Sequence, residues 1–567
     1  MTDREGSHDK RVRHFRQILL WPLQLMPIRE GSQIQRHWEV LEQGGADHPW
    51  HEVADEFTGD HAKFQTRHYN EFVTFLPYVQ RFLYGEARSQ RKDARGEQAA
   101  ASPMRVFRRD DIAAVRLTSR PGDAPLVLSI AHIDLYFFYD IDVVLLNVEV
   151  CADDIALYQA EDTLYRFGRA YPAGWDEQGE GLHCMHRVEW LGHDGAVLAF
   201  SDAEQREKFL AFVCRHRAPC IGAHWAFLLK PLVLDHAEEK GPIRYRQIEY
   251  YRMPLMGYLA LDNPRALTRA DFIRLGLVTA AGGDDTLPFS DRHVAGFEER
   301  YCFDRFWSDG IEALSTRYMC CGHALVVVGD AHSSFFTDKE TGVLAQFRHQ
   351  HFLLFLIGHF QKAALLMFAS RLVNALMALE VGDPESVKRF KRAIRQNFEI
   401  FLRFTHRYWF HEVADQAQAK ALFHLVAGHL GLDPLYAEVK ERMYDMMEYL
   451  DSDSLRRQAN TVVRLTVVTT FGMIGTITTG YFGMNILAAD LLGADYAVGW
   501  KFAFFFAILA STIGLLIFTV ARSKRLSDFL DALSDDRLSW RDKAVAFWRV
   551  WVGEDPIAGP RQDPRRS

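Results

Sequence analysis

Asn485 closes the stretch Tyr481-Phe482-Gly483-Met484-Asn485, near the end of a 25-residue run without charge, Leu465–Ala489. An amide oxygen there can accept hydrogen bonds from water held by a metal ion, an outer-sphere contact. Steps of alternately four and three residues back along a helix reach Gly480, Thr476, Met473, Thr469, Thr466 and Val462 on one face. That face is small, hydroxylic or thioether, and it carries no carboxylate. It suits a cation that keeps its hydration shell, and magnesium sheds water reluctantly. Gly483 and Gly480 would let the backbone approach an axis and offer carbonyls. Helix packing is the other reading, because Gly472, Thr476 and Gly480 form a small-xxx-small ridge. The same steps continue to Glu448, Asp445, Glu441 and Glu438. Repeated in several copies, this acidic stripe would make a negative vestibule that concentrates divalent cations and gates by binding them. A solvated helix face is the plainer reading of the same four residues.

The elements that must position these residues are long. From Pro434 no helix breaker appears before Gly472. One helix from Pro434 to Phe482 would be about 73 Å long at 1.5 Å per residue. Its upper part and a second uncharged run of 20 residues, Phe502–Ala521, each have the length to span a bilayer. Arg456, Arg457 and Arg464 precede the first run, and Lys524 and Arg525 follow the second. The intervening loop 486–500 holds Asp490 and Asp495 and no basic residue. This basic collar places both termini in the cytoplasm and the protein in the inner, or plasma, membrane as a multi-pass protein.

At Gly483-Met484-Asn485 the chain resembles the CorA-type family of magnesium and divalent-cation transporters. The signature lies at the outer end of the first of two C-terminal spans, after a long helix, and a similar register extends back through Asn460 and Arg464. The resemblance covers residues 434–525. Phe482 separates Tyr481 from Gly483, and the loop begins Ile486-Leu487-Ala488-Ala489-Asp490 without an acidic dipeptide; both depart from the family pattern. The resemblance implies a homopentameric funnel, a pore lined by the first span, and passage of hydrated Mg²⁺, or Co²⁺ or Ni²⁺, gated by cytoplasmic Mg²⁺. It implies no resident cofactor and no enzymatic activity. Zinc transporters of the related ZntB branch are an alternative. A membrane-anchored, non-conducting ligand sensor is another, from a different class.

The remaining 430 or so residues (about three domains' worth of chain) read as an α+β cytoplasmic part. Residues 1–103 read as a mostly helical region with a polar linker over 85–103. Residues 104–341 read as a mixed α/β domain, with strands at Ile112–Thr118, Pro125–Leu135, Ile141–Val150 and Ala324–Val328, and a helix over Ala152–Phe167. Residues 342–433 read as helical, with Gly431 ending one helix and Pro434 opening the stalk 434–485. Phe352–Ala369 is apolar, but His359, Gln361 and Lys362 mark it as a buried or amphipathic helix, not a third span. Ile18–Pro27 imitates a signal peptide, yet Pro22, Gln24 and Pro27 interrupt it. Residues 522–567 form a cytoplasmic tail. Its Trp540, Ala544, Phe547, Trp548 and Trp551 share a helical face, suited to the membrane interface or to docking on the stalk.

Composition narrows the classes. A net charge of −8 gives no electrostatic case for nucleic acid. Charged residues at 25% exclude a disordered chain and a many-span bundle. Seven cysteines in 567 residues form no disulfide scaffold. No Gly-x-x-x-x-Gly-Lys-Ser/Thr loop binds ATP, which favours passive entry. A divalent ion gains about 4.6 kcal/mol per 100 mV of inside-negative potential. Two Cys/His sets, Cys214/His216/Cys220/His224 and Cys320/Cys321/His323, lack the paired Cys-x-x-Cys spacing of zinc sites. His349 and His351 are two apart and do not share a helical face.

Overall fold

A computed structural model describes the chain except for residues 1–9, 30–33, 45–47, 54–64, 86–102, 250, 285, 381–382, 484–502, 504–505, 508–509, 512, 515–516 and 518–567. The chain divides into two compact units, 1–444 and 445–567.

The first unit is built on a mixed sheet of 14 strands among the described residues. In chain order these are β1 (Arg11–Leu25), β2 (Trp50–Glu52), β3 (Met104–Arg109), β4 (Ile112–Thr118), β5 (Leu126–Phe138), β6 (Ile141–Ala156), β7 (Arg187–Gly192), β8 (Val197–Phe200), β9 (Leu232–Leu234), β10 (Ile243–Gln247), β11 (Leu255–Leu261), β12 (Cys302–Phe303), β13 (Arg317–Cys321) and β14 (Ala324–Asp330). The main path runs β12-β13-β14-β11-β1-β6-β5-β4-β7-β8. The β11–β14 and β9–β10 pairs are parallel, and the other pairs are antiparallel. β4 matches the strand read from sequence, and β5, β6 and β14 contain or extend theirs.

Of the region 1–103 expected to be mostly helical, Trp38–Gly44, Thr66–Thr74 and Pro77–Tyr84 are helices, but β1 is a strand. This strand lies inside the sheet, between β6 and β11. Pro22 is unusual inside a sheet, because a proline cannot donate to a ladder. The register explains how it is tolerated. β1 pairs with β11 from Val12 to Leu19 and with β10 from Leu23 to Leu25. Pro22 falls in the interval where the strand changes neighbour, so its missing N–H breaks neither ladder on that side. Its other side pairs with β6, opposite Leu145. The signal-like apolar run Ile18–Leu25 is thus a strand buried on both faces, and residues 11–25 belong to the same sheet as 104–330.

The helix expected over Ala152–Phe167 starts late. β6 continues to Ala156 because β1 reaches back to Arg11 opposite it, and the helix is Leu157–Arg166. The linker 85–103 lies almost wholly outside the described residues.

Aromatic side chains hold both faces of the sheet. On one, Trp225 meets Trp190 at 5.7 Å and Phe167 at 5.6 Å between ring centres, with Trp21 at 6.2 Å. On the other, the helix Phe352–Met377 packs against β1 and β6, and Phe360 stacks on Phe138 at 3.9 Å. Val343–Met377 is the one helix among the described residues that is long and apolar enough to cross a membrane. Its most apolar stretch is 83% buried inside the fold. Gln361 Nε2 donates there to the Tyr408 and Phe410 carbonyls. These are the packing relations of a core helix.

Gly431 caps the helix Ala417–Leu430 with φ +63°, a left-handed conformation that glycine adopts without a Cβ penalty. The next helix, Leu432–Gly483, has 52 residues, about 78 Å at 1.5 Å per residue.

Candidate functional site

Val462, Thr466, Thr469, Met473, Thr476, Gly480 and Gly483 are all exposed in the single chain. Val462 and Met473 are each 61% exposed. The threonine hydroxyls have a common orientation. Thr466 donates to the Val462 carbonyl, Thr469 to Leu465 and Thr476 to Gly472, each at 2.9 Å. A hydroxyl that donates back into its own helix can still accept a hydrogen bond. This face therefore offers acceptors, which suits the protons of a hydrated cation. A Cβ added at Gly472, Gly480 or Gly483 would meet nothing within 4 Å. Packing within the described chain thus gives no reason for glycine at these positions. Met484 and Asn485 lie outside the described residues.

Of the basic collar, Arg456, Arg457 and Arg464 lie in the helix, while Lys524 and Arg525 are outside the described residues, as is the aromatic tail. The described residues of the second run, among them Phe506, Ile513 and Ile517, are helical. Ile517 is 63% exposed.

Glu438, Glu441, Asp445 and Glu448 are exposed, while Val439, Met443 and Leu450 are buried. Glu438 pairs with Arg442 at 2.5 Å one turn on. Such an exposed pair contributes little and leaves the carboxylate able to exchange partners.

The Cys/His sets do not converge. Cys214 is exposed, whereas Cys220 and His224 are buried. Burial pushes the His224 imidazole down to about 4. Cys321 Sγ lies 3.6 Å from His323 Nδ1, and burial raises both the Cys320 and Cys321 thiols. His349 pairs with Glu71 at 3.1 Å, while His351 packs its ring against Tyr318. Among the described residues, no group of three or more His, Cys, Asp or Glu is placed to hold a metal ion.

One carboxyl of the first unit is held protonated at neutral pH. Glu161, 3% exposed on the helix Leu157–Arg166, is pushed up to about 8, first by burial and then by the Asp271 carboxylate. Asp271 is committed elsewhere. It closes a capping box with Thr268 at the start of the helix Arg269–Leu277 and accepts from Lys10 at 2.6 Å. Between the ordinary carboxyl range and about pH 8, the unfolded chain releases a proton that the folded chain keeps. Stability must therefore fall as pH rises through that window. Glu161→Gln should remove this slope and stabilise the protein by on the order of 1–3 kcal/mol at pH 8, with little change at pH 4. Urea midpoints of the two proteins across that range check it; parallel curves refute it.

A feature that motif reasoning passed over is a cleft of about 530 Å³. It is lined by Tyr165, Arg252, Leu277–Ala280, Pro288, Phe289, His293 and, from the β13–β14 turn, Cys321 and His323. Its residues come from five separated segments, so no spacing rule announces it. Comparison with protein-family models, with curated proteins and with solved structures found no match for this chain.

Proposed function

We propose that the chain assembles as a homopentamer around the helix Leu432–Gly483 and conducts hydrated divalent cations, Mg²⁺ foremost, through an inner membrane. Both termini are cytoplasmic, and the protein acts as a conduit, not as an enzyme. The observation that carries this reading is the exposed acceptor face from Val462 to Gly483, which runs straight into Met484-Asn485. Exposed Val462, Leu465, Met473, Phe506, Ile513 and Ile517 support it, because large apolar side chains in such numbers need lipid or a partner surface to cover them. A single helix cannot enclose a wet path, so the face demands copies of itself.

Purified full-length protein in liposomes tests the reading. Uptake of Mg²⁺, Zn²⁺ and Co²⁺ is measured in turn under an inside-negative potential. Uptake of Mg²⁺ supports it. Zinc uptake that needs a pH gradient would instead place the chain with ZntB-like transporters, and no uptake of any ion would overturn conduction. In that last case the first unit and its cleft favour a membrane-anchored sensor.

The exposed stripe supplies the gate in this reading. Repulsion among five sets of Glu438, Glu441, Asp445 and Glu448 splays the stalks, and bound cytoplasmic Mg²⁺ draws them together. Neutralising all four to Gln and Asn should raise the internal Mg²⁺ needed for half-closure about tenfold or more, the loss of roughly 1.4 kcal/mol of ion binding. An unchanged closing curve would remove the stripe from gating.

A further inference from the structure

The cleft in the first unit has the chemistry of an anion site. Tyr165 lines it, at the close of the helix Leu157–Arg166. Three guanidiniums surround its ring: Arg169, Arg252 and Arg166 lie 5.0, 5.6 and 5.8 Å from the ring centre. Arg166 has Asp162 at 3.7 Å. Arg252 donates one N–H to the Val278 carbonyl. Its buried Nε has no acceptor among the described residues, and the buried Thr279 hydroxyl also has no partner there. Both residues line the cleft, and none of the lining residues is acidic.

The local field agrees with this inventory. Burial and then the Arg169 charge hold the Arg252 guanidinium below its ordinary value. Burial, followed by Arg252 and Arg169, pushes the His323 imidazole well below its own. Uncompensated positive charge under a surface is costly, and a bound anion relieves it. The backbone is held in an unusual state at the same place. Val278 has φ +48°, a left-handed conformation that a β-branched residue rarely adopts. His183, which meets the Tyr165 hydroxyl at 2.5 Å, has φ +63°. Such strain persists where the surroundings impose it, and it concentrates at ligand sites.

The rest of the wall is mixed, with His293, Cys321 and His323 beside an apolar set. Leu277, Val278, Ala280, Pro288 and Phe289 make up the apolar set, and Phe289 is 47% exposed. We propose that this cleft binds a small organic anion, one whose phosphate or carboxylate head meets Arg252 and Thr279 while a flat ring lies against Phe289 and Pro288. The volume lies within the range of small-molecule sites. The proposal goes beyond ion conduction and does not rest on it.

Full-length protein in detergent micelles is titrated calorimetrically with AMP and with phenylacetate, and with adenosine and inorganic phosphate as controls. At least one of the two acids should bind with Kd below about 1 mM, and the controls at least about tenfold more weakly. A preference for AMP marks a phosphate head, and a preference for phenylacetate a carboxylate. Arg252→Gln should weaken binding about tenfold. Because Arg252 is partly structural, Phe289→Ala provides the second variant; its exposed ring is not needed for folding, and its loss should weaken the ring-bearing acid about three- to tenfold. Absence of saturable binding of both acids overturns the proposal. So does a control that binds as tightly as the acids, or wild-type affinity in both variants. None of these results touches the ion-flux measurement.

Discussion

Asn485→Ala should reduce Mg²⁺ uptake about 100-fold or more, with the protein still inserted and assembled. In the proposed pentamer five amide oxygens face one hydrated ion and accept from its waters. A hydrogen bond of this kind contributes about 0.5–1.5 kcal/mol net. Five removed together reach about 2.5–7.5 kcal/mol, and each 1.4 kcal/mol is tenfold. Alanine is smaller than asparagine and blocks nothing, so the loss would report recognition of the hydration shell. The measurement is initial uptake into liposomes at matched protein content. Uptake within threefold of the parent would remove Asn485 from the pore.

Gly480→Leu should be equally damaging for the opposite reason. In the single chain a Cβ at Gly480 meets nothing within 4 Å, and leucine is the better helix former by roughly 0.8 kcal/mol. The isolated chain should therefore fold as well or better. Five leucines on one ring would fill a narrow axis with hydrocarbon, a barrier to a hydrated ion. Uptake should fall by at least about tenfold, with unchanged expression and helix content. If glycine serves only close approach of helices, the same variant would dissociate the oligomer. Native mass measurement in detergent separates the two outcomes, and full uptake by an intact oligomer would refute both.

Legibility in the sequence followed periodicity. Ile112–Thr118 was readable because Ile, Val and Leu gather there between turn-forming residues, and the structure has the same bounds for β4. The Gly431 cap and the start near Pro434 were readable because both residues have fixed backbone preferences. The acceptor face was legible because a helical period places its members without tertiary information, although Met484 and Asn485 lie outside the described residues. β1 was not legible, since local rules count Pro22 against a strand and cannot see a change of neighbour at that residue. Glu161 and Arg252 were equally hidden. Their chemistry comes from burial and from charges brought together by the fold, and no window of sequence contains those partners.

The place of β1 also bears on the order in which the chain is made. Its partners β6, β10 and β11 are complete only at Ala156, Gln247 and Leu261. β1 must then wait, its apolar run Ile18–Leu25 unpaired, until β6 is complete at Ala156, and its other edge stays open until Gln247 and Leu261 have been made. Pairings this distant in sequence fold slowly and leave sticky edges exposed meanwhile. A chaperone that shields Ile18–Leu25 on the nascent chain would serve the interval, and the sheet can close before residues 465–521 are translated.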